Sequence, residues 1–288
     1  MDGKVEPRDR PLIQRRGAPV LLLAPVGALL LLLFVLPQAG MLAASLDAPR
    51  WSFAHYAHFL GDAHYLGVLG RSLLLGVLVV AVTLLLGLPL AYWLARLQSR
   101  WAPALLLLAT FPLWISAVVR SFGWVVLLAR SGLVSTALRD AGLVGRSFQL
   151  LYSMTGVVLA LAQVLLPFML LSLYGVIRAI SPELERAAQN LGAGPLRAAL
   201  LTTLPLAARG ILSASLLVFA LSVSAFATPS LVGGARVQLM STTIYEQMTE
   251  LADWPFAAAV AFILLAVVGF IAILYTRLGS GADGVARR

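Results

Sequence analysis

Apolar residues in this chain run in long unbroken blocks rather than in alternation. Residues 20–46, 72–95, 147–177, 210–235 and 254–276 contain no charged side chain, and 101–129 is interrupted only by Arg120. A helix needs about 20 apolar residues to cross the hydrocarbon layer of a bilayer. Each block clears that length, so the pattern predicts six membrane-spanning helices. None shows the polar/apolar alternation of a membrane barrel strand. The first block is too long for the apolar part of a signal peptide, and no small-residue cleavage site follows it, so it reads as a retained span. The expected fold class is all-α, a polytopic membrane protein.

Composition agrees. Of 288 residues, 60% are hydrophobic and 11% charged, and the mean hydropathy is +0.94. Soluble domains carry about a quarter charged residues, so a soluble enzyme, a disordered chain and a secreted disulfide scaffold are all disfavoured. With Cys 0, disulfides, thiolate metal sites and cysteine nucleophiles are excluded together. The net charge of +9 suits loops facing an anionic inner leaflet better than it suits nucleic acid. Placing both termini in the cytoplasm puts most of the basic residues inside, among them Lys4, Arg8, Arg10, Arg15, Arg16, Arg96, Arg100, Arg178, Arg186, Arg197, Arg209 and Arg277. The expected organisation is a cytoplasmic segment 1–19, one membrane domain 20–277 and a cytoplasmic tail 278–288. On the outer side, Val134, Ala137, Leu138 and Ala141 recur at i, i+3, i+4 and i+7, which predicts a short amphipathic helix at the interface.

The inner loop between the fourth and fifth spans, 181–205, carries the most local information. Ser181 is a good N-cap, and Pro182 suits the first helical position, where its missing N–H costs nothing. Glu183 and Glu185 stand in the first turn, where the helix dipole favours acids. Leu184, Ala187, Ala188 and Leu191 form an apolar stripe, with Arg186, Gln189 and Asn190 off it. Gly192 fits the position past the helix end where φ is often positive. Pro195 opens a second short helix, and Pro205 marks the approach to the fifth span. A mere tether needs neither caps nor a stripe; such a helix lies on lipid or docks in a partner's groove.

The run Arg186-Ala187-Ala188, three residues, Gly192, nine residues, Thr202-x-Leu204-Pro205 resembles the signature loop of binding-protein-dependent ABC importer permeases, E-A-A-x3-G-x9-I-x-L-P. Arg186 stands where that signature has Glu, Thr202 where it has Ile, and Glu185 offers an acid one residue early. The stretches from Phe111, Leu165 and Ser224 are similar to spermidine/putrescine-type permeases, most of all to the first of their two permease subunits. The resemblance implies the type I importer fold, with Glu185, Arg186, Ala187, Ala188, Leu191, Gly192, Leu204 and Pro205 coupling the chain to a cytoplasmic ABC ATPase dimer. It also implies a second permease subunit, a periplasmic binding protein and a polyamine or related small organic solute, in the bacterial inner membrane. No cofactor and no nucleic acid is implied. Independently, the only lysine is Lys4, and no Gly-x4-Gly-Lys precedes it, so the chain lacks a P-loop of its own. The chain is therefore expected not to be an enzyme.

Arg120 is the one charge within a span. On an insertion scale a mid-bilayer arginine costs about 2.5–3.5 kcal/mol. It stands about 10 residues before Arg130, roughly 15 Å along a helix, which is deep for snorkelling. Facing an inter-subunit pore is the alternative, with Trp124 beside it. Thr228-Pro229-Ser230 with Gly233-Gly234 breaks the fifth span, either as a plain stop or as a kink in the solute path. His55, His58 and His64 share the first outer loop, as a metal site or as solvated side chains. Glu246, Glu250 and Asp253 form a solvated face or a contact for a binding protein or cationic solute. A gradient-driven transporter needs an intramembrane carboxylate or His, and an intramembrane hydrolase needs a nucleophile with a base or a metal. No Asp, Glu or His lies in the six blocks, so neither reading is favoured.

Overall fold

The structure is a computed structural model and describes residues 18–281 apart from 98, 143, 144 and 146–148. The expectations for 1–17 and 282–288, and for Arg146, lie outside the described residues. In chain order the helices are α1 (Ala18–Ser45), α2 (Ala54–Gly61), α3 (Ala63–Arg96), α4 (Ala102–Thr110), α5 (Ala117–Leu128), α6 (Leu133–Asp140), α7 (Met154–Ala179), α8 (Glu183–Asn190), α9 (Pro195–Ala198), α10 (Leu204–Ser224), α11 (Met240–Thr249) and α12 (Trp254–Gly281). No strand occurs among the described residues. Six helical stretches among them are long and apolar enough to cross a membrane, as the block pattern predicts.

Four spans differ markedly from their predicted bounds, each for a visible reason; the fourth begins at Met154 rather than 147, because Ser153 caps it by accepting from the Gly156 N–H at 3.1 Å. The second begins at Ala63 rather than 72, because Asp62 caps it by accepting from the His64 N–H at 2.8 Å. The third is not one helix. Pro112 cannot continue α4, so the chain passes through a 3₁₀ turn at Phe111–Trp114 and extended Ile115 before α5 starts. Arg139 and Asp140 in α6, and the turn that precedes it, make α4 with α5 the physically sounder crossing and α6 the predicted short amphipathic helix. The fifth span is shifted toward the inner loop. It runs as one helical stretch from Pro195 to Ser224 and stops where Ala225 turns extended (φ −64°, ψ 132°). Pro167 lies buried inside the continuous helix α7.

The core sits where α3, α7 and α10 pack together. Leu75, Val79, Leu161, Met169, Leu173 and Val218 are all buried there. Between membrane helices, van der Waals fit replaces the hydrophobic drive, so close approach matters. Gly76 provides it: a Cβ there would lie 2.7 Å from the Phe219 ring and from Val223. A second cluster, with Phe59, Val68, Met240, Phe256 and Val260, ties α2, α11 and α12 to α3 and α10. Helix α1 packs along α12 and leaves side chains such as Leu30, Leu33 and Phe34 exposed, as suits contact with lipid or another span.

Candidate functional site

The loop between α7 and α10 is built as a rigid projection. Ser181 Oγ accepts from the Glu183 N–H at 3.3 Å, and Pro182 is the residue flanking α8. At the other end, Gly192 takes φ +92°. Its N–H donates to Gln189 O (2.9 Å), and the Ala193 N–H donates to Ala188 O (3.1 Å). That pair of bonds is a complete Schellman stop, which satisfies carbonyls a helix end otherwise leaves bare. After α9 comes a π-helical turn, Ala199–Thr203, in which Leu204 donates to Ala199 O. Pro205 has no N–H for the next carbonyls, and the wider turn absorbs that gap.

The faces of α8 are divided. Leu184, Ala187 and Leu191 of the apolar stripe are exposed, Leu191 at 90%, and Ala188 is half-buried. Glu185 turns the other way and is buried. Within the chain it holds the loop to the membrane domain. Its Oε1 accepts from Arg96 Nη2 (2.8 Å) and Nε (3.0 Å) and from Thr203, and its Oε2 accepts from the Tyr92 hydroxyl at 2.8 Å. Burial pushes the carboxyl up. The hydrogen bonds from Thr203, Tyr92 and Arg96, with the guanidinium charge, outweigh it and hold Glu185 below the usual carboxylate range.

Arg96 does more than pair. Its Nη1 also donates to Ile180 O at 2.9 Å, just past the end of α7, while Arg178 at that end donates to Ala95 O on α3 at 3.0 Å. The two helices thus exchange arginines at their C-termini, where bare carbonyls and the dipole favour cations. Arg96, Tyr92 and Thr203 were not singled out in the sequence. Nothing local links residue 96 to residue 185; only the folded helices bring them together. Arg186 is exposed and pairs with Glu183 at 2.6 Å, a surface pair of small value.

Comparison with known proteins decides the family. The model of the binding-protein-dependent transport system inner membrane component matches residues 15–281. This chain belongs to that family. It is an ABC importer permease, a membrane transport subunit with six spans. It is 32% identical over 210 residues to the spermidine/putrescine transport system permease protein PotB of Escherichia coli K12, covering 73% of this chain and 76% of that one. It is 33% identical over 207 residues to the molybdenum transport system permease protein ModB of Mycobacterium bovis, covering 70% and 76%. A bacterial alginate ABC transporter, solved with its pentasaccharide-bound periplasmic protein, contains a chain of the same fold (TM-score 0.77, 19% identity, 90% of this chain and 93% of that one).

Within the permease's membrane domain, the residues read as a solute path are partly used up inside the chain. Thr228 and Pro229 are buried, and Thr228 shares a 2.9 Å hydrogen bond with Ser121 of α5. Pro229–Gly233 forms a π-helical turn, and Ser230 Oγ donates to Ala227 O at 3.0 Å. Trp124 Nε1 donates to Gln163 of α7 at 3.3 Å. These bonds sew α5 to α7 and to the end of the fifth span. Among the described residues, Arg120 alone keeps guanidinium atoms, Nε and Nη1, that are buried without a partner.

The three histidines serve ring packing. His55 and His58 stand 6.3 and 5.1 Å from the Phe256 ring, and His64 stands 5.4 Å from Tyr65. Among the described residues no three metal-ligating side chains converge. Asp253 caps α12 by accepting from the Phe256 N–H at 3.0 Å. Burial, then the Glu250 charge, raises the Glu246 carboxyl above its ordinary value, with His64 opposing.

Gly192 supplies a direct prediction. A Cβ there meets nothing within 4 Å, so a side chain costs only backbone strain, about 1–3 kcal/mol. Gly192→Val should reduce uptake and ATPase association several-fold while membrane insertion stays at the wild-type level. Normal uptake by this variant contradicts the assignment of the turn.

Proposed function

We propose that this permease is driven from the cytoplasm through α8, which seats its exposed Leu184–Leu191 stripe in a groove of an ABC ATPase dimer. The observation that carries the reading is the division of α8: an outward apolar face, and an inward carboxylate fastened to α3 and to the π-helical turn that leads into α10. Force applied to the outer face passes through the Glu185–Arg96 bond into two spans at once. Arg186, Ala187, Ala188, Gly192, Leu204 and Pro205 shape that lever, and nucleotide in the partner biases its two positions. The solute passes between this chain and a second permease, along the side of α5 and the Thr228-Pro229-Ser230 turn. A periplasmic binding protein delivers it.

By kinship with PotB, the solute we infer is a polyamine, spermidine or putrescine. Reconstitution with the ATPase, the second permease and the binding protein tests this directly. Spermidine or putrescine should stimulate ATP turnover above the solute-free rate; a flat response to both, with stimulation by an unrelated solute, removes the polyamine reading. Orientation is tested separately. Reporter fusions after Asp47, Arg139 and Arg236 should report outside, and a fusion after Arg197 inside. An outside signal at Arg197 ends the cytoplasmic lever.

A further inference from the structure

The end of the domain that carries α8 is bound into one block. Arg96 and Tyr92 of α3, and Thr203 after α9, all donate to Glu185 of α8. Arg96 also reaches Ile180 O, and Arg178 of α7 reaches Ala95 O. The last turns of α3 and the α8–α9 loop therefore cannot shift apart without breaking shielded polar bonds, which are costly to leave unmade.

Next to that block, two of the three core helices are weakened. Pro89 lies inside α3 and has no N–H for the Leu85 carbonyl. The stretch leading into α10 holds the π-helical turn Ala199–Thr203, which the Leu204 N–H closes on Ala199 O. Prolines and π-turns are where helices bend. Both weak points wall the same cavity of about 240 Å³, lined by Leu88, Pro89 and Tyr92 of α3 and by Ala199, Thr203 and Ala207. They thus stand at one depth. Ile177 of α7 lines that cavity too, and α7 runs past it unbroken to Ala179.

Beyond the weak points, toward the middle of the domain, α3 and α10 are pinned to α7. A Cβ at Gly87 would lie 3.1 Å from Met169 Cγ, and one at Gly210 would collide with Val176. Helices packed this closely have no room to slide.

We propose that the block swings as a unit on two built-in hinges, Pro89 in α3 and the π-helical turn that runs into Pro205, with α7 as the fixed post and the cavity between the hinges setting the travel. This rests on the lever reading above and adds the place where the lever bends. A push on α8 tilts the ends of α3 and of the α10 stretch together, while the parts clamped at Gly87 and Gly210 stay still. Hinges of this kind are a few residues that absorb the backbone change for a whole rigid body.

The test follows the block in the whole transporter, assembled in nanodiscs with its ATPase, second permease and binding protein, the partner subunits being free of cysteine. This chain has none of its own, so spin labels go on two introduced cysteines. Asn190→Cys with Thr155→Cys measures α8 against α7, and Asn190→Cys with Trp93→Cys measures a distance within the block; all three side chains are exposed. Trapping nucleotide in the ATPase with ATP and vanadate should change the first distance and leave the second as it was. Pro89→Ala restores a backbone bond, and Ala207→Leu fills the cavity. Each should cut the change several-fold with the ATPase still bound, and Pro89→Ala should do so without lowering the melting temperature. If Ala207→Leu fails to fold, Pro89→Ala, which adds no bulk, decides alone.

A full-sized change in Pro89→Ala overturns the proposal, and so does a change of distance within the block. ATPase binding separates this proposal from the reading it rests on. A wild-type chain that binds ATPase and shows no swing sinks the hinges alone, whereas one that binds no ATPase sinks the lever with them.

Discussion

Replacing Glu185 with alanine is expected to unfasten the cytoplasmic lever and to cost the fold about 3–5 kcal/mol, the usual penalty for stranding one member of a buried ion pair. The pair is well shielded, with side-chain exposures of 15% for Arg96 and 9% for Glu185, so solvent screening does little to soften the loss. Arg96→Ala should be worse, because Arg96 also holds the Ile180 carbonyl. Glu185→Gln keeps an acceptor for Tyr92 and for part of the guanidinium fork, so it should lie between alanine and wild type. The double replacement Arg96→Leu/Glu185→Leu should recover much of the stability, since an apolar pair can substitute for a buried ionic one. It should not recover ATP-driven uptake, because the hydrogen-bonded register of α8 is gone. Thermal unfolding in detergent, read beside uptake, separates these two outcomes; uptake restored together with stability contradicts a coupling role.

The same bond fixes a pH dependence. Glu185 is held below the usual carboxylate range in the folded protein. A depressed pKa means that its contribution to stability is complete above the unfolded carboxylate's pKa and is lost as pH falls through the folded one. The lever should therefore stay fastened from about pH 8 to about pH 5, and stability should fall only in more acid solution. In Glu185→Gln this acid-side component of the decline should be missing.

The second large effect is expected at Leu191. This side chain is 90% exposed in the isolated chain, and burying a leucine on association contributes about 1.5–3 kcal/mol. Leu191→Asp removes that gain and forces a charge toward an apolar groove. It should weaken ATPase binding at least about tenfold and leave the melting temperature of the chain unchanged, since Leu191 supports nothing inside it. Titrating purified ATPase onto the permease in nanodiscs measures this. Unchanged affinity places the docking surface elsewhere.

Much of the fold was legible because a bilayer imposes simple demands. Long apolar blocks with at most one charge read as spans, and the described residues hold six helical stretches able to cross. The bounds of α8 were legible for a different reason: Ser181, Pro182 and Gly192 act on their immediate neighbours, so their signals need no tertiary context. The inward turn of Glu185 was not. Helical period places it off the apolar stripe, but its partners stand on α3 and beside α10, far away in sequence. The break in the third span was half visible. A proline at 112 disfavours a continuous helix, yet the separation of α4 from α5 depends also on the extended backbone at Ile115. Conversely, Thr228 and Pro229 were conspicuous as a break in the fifth span, but their burial against α5 required the fold.

The central claim is that α8 is gripped by a nucleotide-hydrolysing partner. A single cysteine at Leu191, in a chain that has no other, tests it most directly. With the transporter assembled in membranes, a short thiol cross-linker should join position 191 to the ATPase, and the yield should change when ATP is trapped in the partner. Cross-linking to lipid-facing reagents alone, with no ATPase adduct in either nucleotide state, contradicts the account.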